Sequence, residues 1–183
     1  MAGSPRPRIT HLALFAFDLN KMVDFYTRVM GLTVSDRGQA MSAPVEMVFM
    51  SNDPGEHHQF VLASGRPEDA TFNVAQQVSF LLDDLDQLRE MHDRVEAEGL
   101  EVTRVTTHGN AWSVYFNDPD GNNIELYVHT PWHIPQPHVH PFDISQSNEE
   151  IMAQTESHCR KDQGFMSASK RKKVMAERMG LAD

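Results

Sequence analysis

Hydrophobic and polar positions along the chain alternate in two rhythms, and the same order of rhythms occurs twice. Ile9 to Phe17 is a nearly unbroken apolar run that predicts a buried strand, and Asp18 just after it suits a helix N-cap. Met22, Phe25, Tyr26, Val29 and Met30 follow at helical spacing. Gly31 closes that helix, and Leu32-Thr33-Val34 begins another strand. The second passage opens with the strand-like Val78 to Leu82 and the cap candidate Asp84, with Gln87 placed for a capping box. Leu85, Leu88, Met91 and Val95 mark its helix, Gly99 the end of it, and Leu100-Glu101-Val102 the next strand. The two caps lie 66 residues apart and the two glycines 68. Asn52-Asp53-Pro54-Gly55 and Asn117-Asp118-Pro119-Asp120-Gly121 form a second match at an offset of 65; both are turn sequences after an apolar strand. His58 to Ala63 and Asn123 to Val128 then read as the closing strands.

Each half therefore runs strand, helix and three strands. The expected fold class is α+β, with one βαβββ module over residues 1–70 and a second over 71–130. One module alone has too small a core, so the two are expected to pair into one domain. Residues 131–183 have no place in the repeat. His129, His133, His138 and His140 interleave with Pro131, Pro135, Pro137 and Pro141, which predicts an extended surface arm. Two helices are expected after it, Ser147 to His158 and Ser167 to Met179. His92 and His158 then fall on helix surfaces.

Charge separates the tail from the rest. The 183 residues carry 16 basic and 26 acidic side chains, a net −10, which sets aside a general nucleic-acid binder. Up to Cys159 there are 9 basic and 23 acidic residues; from Arg160 on there are 7 and 3. The Lys170-Arg171-Lys172-Lys173 run reads as the solvated face of a helix that packs on the acidic body of its own or a partner chain. One cysteine cannot form an internal disulfide, and the longest clearly apolar stretch, Leu12 to Phe17, is six residues. A cytoplasmic protein without a membrane span is expected.

The repeat also places candidate chemistry. His11 and Gln77 each lie seven residues before their helix cap, and His58 and Glu125 fall 67 apart on the closing strands. If the halves are related by a pseudo-two-fold axis, a carboxylate, two imidazoles and an amide converge, which is the donor set of a metal site with open positions.

Ile9-Thr10-His11-Leu12-Ala13, Val78-Ser79-Phe80-Leu81-Leu82-Asp83-Asp84-Leu85 and the stretch from His108 to Tyr127 together resemble the vicinal oxygen chelate superfamily, over about residues 8 to 135. That superfamily holds glyoxalases, bleomycin-resistance proteins and extradiol dioxygenases. The Tyr115-to-Glu125 spacing and the continuation Thr130-Pro131-Trp132 through Pro135-Gln136-Pro137 look like one-domain ring-cleaving members. The resemblance implies metal ligands at His11, at the position of Gln77 and at Glu125. Gln77 stands where a ring-cleaving member has histidine. An amide oxygen tilts selectivity toward harder metals, so Gln77 is open to two readings: a true ligand, or a sign that metal binding has weakened.

The same resemblance makes His58 an acid-base group beside bound oxygen, or else a fourth ligand, and has His108 and Tyr115 contact the substrate. The plain alternatives are strand-entry polarity for His57-His58, loop polarity for His108 and core packing for Tyr115. Three functions follow. The first is an Fe(II) extradiol-type dioxygenase acting on a catechol-like aromatic with vicinal oxygens and molecular oxygen, expected as a homodimer. The second is a glyoxalase-like lyase or isomerase using Zn, Ni, Mn or Co as a Lewis acid. The third is a metal-free protein that sequesters a small aromatic molecule against Trp112, Phe116 and Tyr127.

Overall fold

The computed structural model describes residues 5–41 and 43–181. Four helices and eleven strands among them make a mixed α+β fold. The chain divides into two compact units. One runs to Val74 and includes Asp118–Gly121; the other takes Ala75–Asn117 and everything from Asn122.

The first unit is built from β1 (Leu12–Ala16), α1 (Leu19–Arg28), β2 (Thr33–Gln39), β3 (Glu46–Ser51) and β4 (Phe60–Ser64). The strands form one sheet in the order β1-β4-β3-β2, with β1 parallel to β4. Asp18 caps α1 as expected, its carboxylate accepting from the Lys21 N–H at 3.0 Å. Leu19, Met22, Phe25 and Tyr26 form the buried stripe of the helix. β1 departs from expectation. It is an edge strand with β4 on one side only, and Leu12, Phe15 and Phe17 are exposed. An apolar run predicts extended backbone, but whether the strand is covered depends on what lies across the sheet, which the run does not encode.

The turn Asp118–Gly121 is the distant part of this unit. Tyr26, buried on α1, donates its hydroxyl to Asp118 Oδ2 at 2.8 Å, and the Phe17 N–H donates to Asp120 Oδ2 at 2.7 Å. The Asn73 amide donates to the Gly121 carbonyl at 2.9 Å. Burial first, then the Asp118 charge, pushes the Tyr26 phenol well above its ordinary range, so it remains a donor.

The second unit repeats the order with β5 (Val78–Leu81), α2 (Leu85–Ala97), β6 (Val102–Thr107), β7 (Ala111–Asn117) and β8 (Asn123–His129). Asp84 caps α2 through the Gln87 N–H at 2.9 Å, while the Gln87 side chain accepts from Asp83 and not from the cap, so no capping box closes there. The sheet runs β10-β6-β7-β8-β5, where β10 (His140–Pro141) comes from the tail. On β7 and β8, Trp112, Val114 and Phe116 pair with Val128, Leu126 and Ile124 to form the buried apolar face, and α2 packs against both strands. Trp112 and Phe116 thus lie on the opposite face from Glu125, which corrects their assignment as stacking surfaces for a ligand there.

The tail also differs from an extended surface arm. β9 (Trp132–His133) pairs with β11 (Met166–Ser167), and β10 extends the main sheet. α3 (Asn148–Cys159) begins in a full capping box of Ser147 and Glu150, and α4 (Ala168–Arg178) is capped by Ser167. Ile134, Ile151 and Cys159 are essentially inaccessible, and His138 is 9% exposed. Trp112 Nε1 donates to Thr155 Oγ1 of α3 at 2.8 Å. A few apolar anchors spaced widely through a polar, proline-rich segment are enough to fasten it, and no periodicity announces them. No helix among the described residues is long and apolar enough to cross a membrane.

Candidate metal and substrate site

In the first unit, parallel pairing of β1 with β4 sets Leu12 opposite Phe60, and the Leu12 N–H donates to the Gln59 carbonyl at 3.1 Å. His11 and His58, each just ahead of its strand, are thereby brought side by side with ring centroids 4.5 Å apart. His57 Nδ1 lies 2.9 Å from His58 Nδ1, and the Phe49 ring meets His58 edge-on at 5.2 Å. Partial burial, then the His11 and His57 rings, hold His58 below the ordinary imidazole value, so at neutral pH it is a proton acceptor. His58 lies in the loop before β4, and register shows that it is not the counterpart of Glu125. Leu12 pairs with Phe60 and Val78 with Ile124, which makes Val61 the residue equivalent to Glu125. His11 and Gln77 do correspond, each directly preceding the first strand of its unit.

The second unit gathers Gln77, Ser79, Tyr115, Glu125 and His108 on one face. Strand pairing puts Ser79 and Tyr115 on either side of Glu125. Glu125 Oε2 accepts from Ser79 Oγ at 2.6 Å and from Gln77 Nε2 at 2.8 Å, and Oε1 accepts from the Tyr115 hydroxyl at 2.5 Å. Burial of Glu125 favours its neutral form, but the hydroxyls of Ser79 and Tyr115 more than offset that, and its carboxyl stays below the usual range. Tyr115 is pushed up to about 12, by burial first and then by Glu125. It is a hydroxyl donor, not a base. The Arg104 guanidinium lies 4.0 Å over its ring.

A hydrogen-bonded line continues outward from Tyr115. His108 Nε2 lies 2.9 Å from the Tyr115 oxygen, and His108 Nδ1 lies 2.9 Å from the His138 carbonyl. A carbonyl only accepts, so Nδ1 carries a proton. The line thus runs from Glu125 through Tyr115 and His108 to the His138 carbonyl.

His138 holds its place through Nδ1, 3.0 Å from Asp162 Oδ2, and Gln136 Nε2 donates to the His108 carbonyl at 2.7 Å. The contributions of Ser79, Arg104, Gln136 and His138 were not anticipated. Ser79 lies two residues from Gln77, and the period of two along a strand is the signal that would have found it. Nothing in the spacing points to Arg104, and the proline-rich surroundings hide Gln136 and His138. His129 is exposed on the end of β8, its ring 5.4 Å from that of Tyr127. Among the described residues, the His, Cys, Asp and Glu ligand atoms that lie within 4.8 Å of one another as a group belong to His92, Asp93 and Glu96 on the surface of α2. Adjacent acidic groups on a solvated helix face account for that cluster.

Comparison with known proteins supports the same architecture. The Glyoxalase/Bleomycin resistance protein/Dioxygenase superfamily model matches residues 8–126. Biphenyl-2,3-diol 1,2-dioxygenase 3 of Rhodococcus globerulus is 31% identical over 128 residues, which are 67% of this chain and 63% of that protein. The chain thus matches less than two thirds of that relative's length. Among solved structures, a glyoxylase/bleomycin resistance protein/dioxygenase domain from a Frankia species superposes with a TM-score of 0.59 at 20% identity, over 69% of this chain and 100% of that one. The fosfomycin resistance protein FosX of Listeria monocytogenes, complexed with Mn(II) and sulfate, does so at 0.50 and 20%, over 71% and 94%. At these identities the structural matches establish the fold. The sequence match over most of the chain, together with the twice-repeated strand, helix and three strands, places this protein in the Glyoxalase/Bleomycin resistance protein/Dioxygenase superfamily.

Proposed function

We propose that this protein is an extradiol-type dioxygenase that opens a catechol-like ring with molecular oxygen, using Fe(II) held by His11, Gln77 and Glu125. The donor set is chemically suited to a divalent ion. Glu125 is ionised, and its Oε2 lies 2.8 Å from the Gln77 amide. A half-turn of the amide would present Gln77 Oε1 beside the carboxylate, so that both groups could hold the ion. Bound iron would supply Lewis acidity toward the two substrate oxygens and a path for electrons to oxygen.

The chain's own groups do the rest. His58, held neutral, accepts the proton that a catechol hydroxyl gives up on binding. Tyr115 donates to Glu125 and fixes its orientation, and His108 keeps Tyr115 in line. The observation carrying this assignment is the unbroken hydrogen-bonded line from Glu125 through Tyr115 to His108, which joins three residues of the stretch resembling ring-cleaving members. The partners are a small aromatic with vicinal oxygens, molecular oxygen and, in a homodimer, a second copy of the chain; no nucleic acid and no membrane take part. A cytoplasmic location is part of the same proposal. Protein loaded anaerobically with Fe(II) should consume oxygen with catechols and give a yellow ring-opened product. No turnover on mono- and bicyclic catechols, with iron shown to be bound, would refute it.

One observation favours a second reading. Gln77 brings an amide where an imidazole would bind iron more strongly, and harder ions accept that exchange best. A glyoxalase-like lyase or isomerase using Mn, Zn, Ni or Co would turn over a hydroxy-carbonyl substrate without oxygen.

A further inference from the structure

The tail encloses a cleft of about 390 Å³ that the proposed chemistry does not use. It lies between α4 and the segment carrying β9, within the second unit. Its lining includes Arg171, Arg178, His133, Pro135, Met166 and Val174, and no aspartate or glutamate contributes to it. Arg171, Val174 and Arg178 fall at i, i+3 and i+7 on one face of α4. Seven residues of helix span about 10 Å, so Arg171 and Arg178 line the cleft about two turns apart with Val174 between them along α4. Neither arginine forms an ion pair with a carboxylate among the described residues, although acidic side chains outnumber basic ones in the chain, 26 to 16. Pro135, Met166 and Val174 supply apolar walls. His133 is held below the ordinary imidazole value by burial and then by Arg171, so it serves as a neutral hydrogen-bonding group. The volume lies within the range of small-molecule sites, about 300 to 1,000 Å³.

Two guanidinium groups with no carboxylate partner among the described residues, beside apolar walls, are complementary to a planar anion with a hydrophobic body. We propose that this cleft binds a small organic carboxylate, with the carboxylate between Arg171 and Arg178 and the apolar part against Pro135, Met166 and Val174. Gln136, which donates to the His108 carbonyl, also lines the cleft, but none of the metal-ligand candidates does, and the proposal does not depend on the reaction assigned to them.

The test uses the full chain labelled at its methionine methyl groups, with the Met166 signal assigned by M166L, and titration with benzoate followed by NMR. Benzoate should shift the Met166 signal saturably, and R171Q/R178Q should weaken binding about tenfold or more while leaving the unfolding midpoint near that of the parent. R171K/R178K, which keeps the charge but loses the planar fork, should fall between the two. Benzyl alcohol should leave the signal unmoved, and acetate and inorganic phosphate should bind more weakly than benzoate. An unmoved Met166 signal with benzoate overturns the proposal, as does equal affinity in R171Q/R178Q. Benzyl alcohol binding as well as benzoate would leave only an apolar crevice, and phosphate binding as tightly as benzoate only a charged patch. Either result also overturns it.

Discussion

Gly109 is where the tail and the candidate site meet, and its replacement by alanine tests whether they are packed as described. The residue has φ +73° in the turn between β6 and β7. A methyl group there would lie 2.5 Å from Ile134 Cγ2, 2.9 Å from Cys159 Sγ and 3.1 Å from His138 Cδ2. Ile134 and Cys159 are essentially inaccessible, so neither can swing away. Two costs add. A left-handed backbone with a β-carbon costs about 1 to 2 kcal/mol, and overpacking a dense region about 1 to 3 kcal/mol. Gly109→Ala should therefore lose about 2 to 5 kcal/mol, a large share of the roughly 5 to 15 kcal/mol that stabilises a typical domain. Gly99→Ala is the matched control: φ is again +73°, but nothing lies within 4 Å of the added methyl. Urea midpoints with unchanged m-values should give G99A a loss of about 1 to 2 kcal/mol and G109A at least about 1 kcal/mol more. If the two variants lose the same amount, Ile134, Cys159 and His138 do not press on the turn, and the account of how His108 is held fails with them.

Three other outcomes follow from the same contacts. Burial, then His140, depresses His138 despite the opposing Asp162 charge, and His58 and His133 are depressed as well. The unfolded chain then takes up protons near the ordinary histidine value, about 6.5, before the folded chain does, so stability is full above that pH and falls as the pH drops through it. Thermal melts from pH 8 to 5 should show the decline, with a shallower slope in His138→Gln; a flat profile would contradict it. Tyr115→Phe removes the donor that orients Glu125 and should lower metal affinity or turnover about 10- to 100-fold with the fold retained, as urea titration would verify. Gln77→His should raise Fe(II) affinity on the order of tenfold by direct metal titration; an unchanged constant would show that position 77 is not a ligand.

The sequence made much of this legible, for definite reasons. Helix caps, buried stripes and closing glycines are local, and Asp18, Asp84, Gly31 and Gly99 do what their patterns imply. Glu125 was legible because a carboxylate alternating with apolar residues on a strand has to face away from the core. What was not legible depends on contacts distant in sequence. The unmatched offsets of 66 and 64 between corresponding strands shift His58 out of equivalence with Glu125, and only register reveals that. Trp112 and Phe116 were plausible ligand surfaces until strand parity placed them under the helix. His138 reads as one more polar residue in a proline-rich arm; its role rests on a main-chain carbonyl, which no side-chain pattern encodes.

The turn Asp118–Gly121 bears on how this chain comes to be made. Its carboxylates and carbonyl serve Tyr26, Phe17 and Asn73, yet it is synthesised long after them. A nascent chain that has just emerged past Val74 has every strand and helix of the first unit but lacks the acceptor for its most deeply buried phenol. The first unit is therefore complete only once translation has passed Gly121, beyond β7 of the second unit. An isolated fragment ending at Val74 should be less stable than its count of strands and helices suggests, however closely its sequence resembles an independent half.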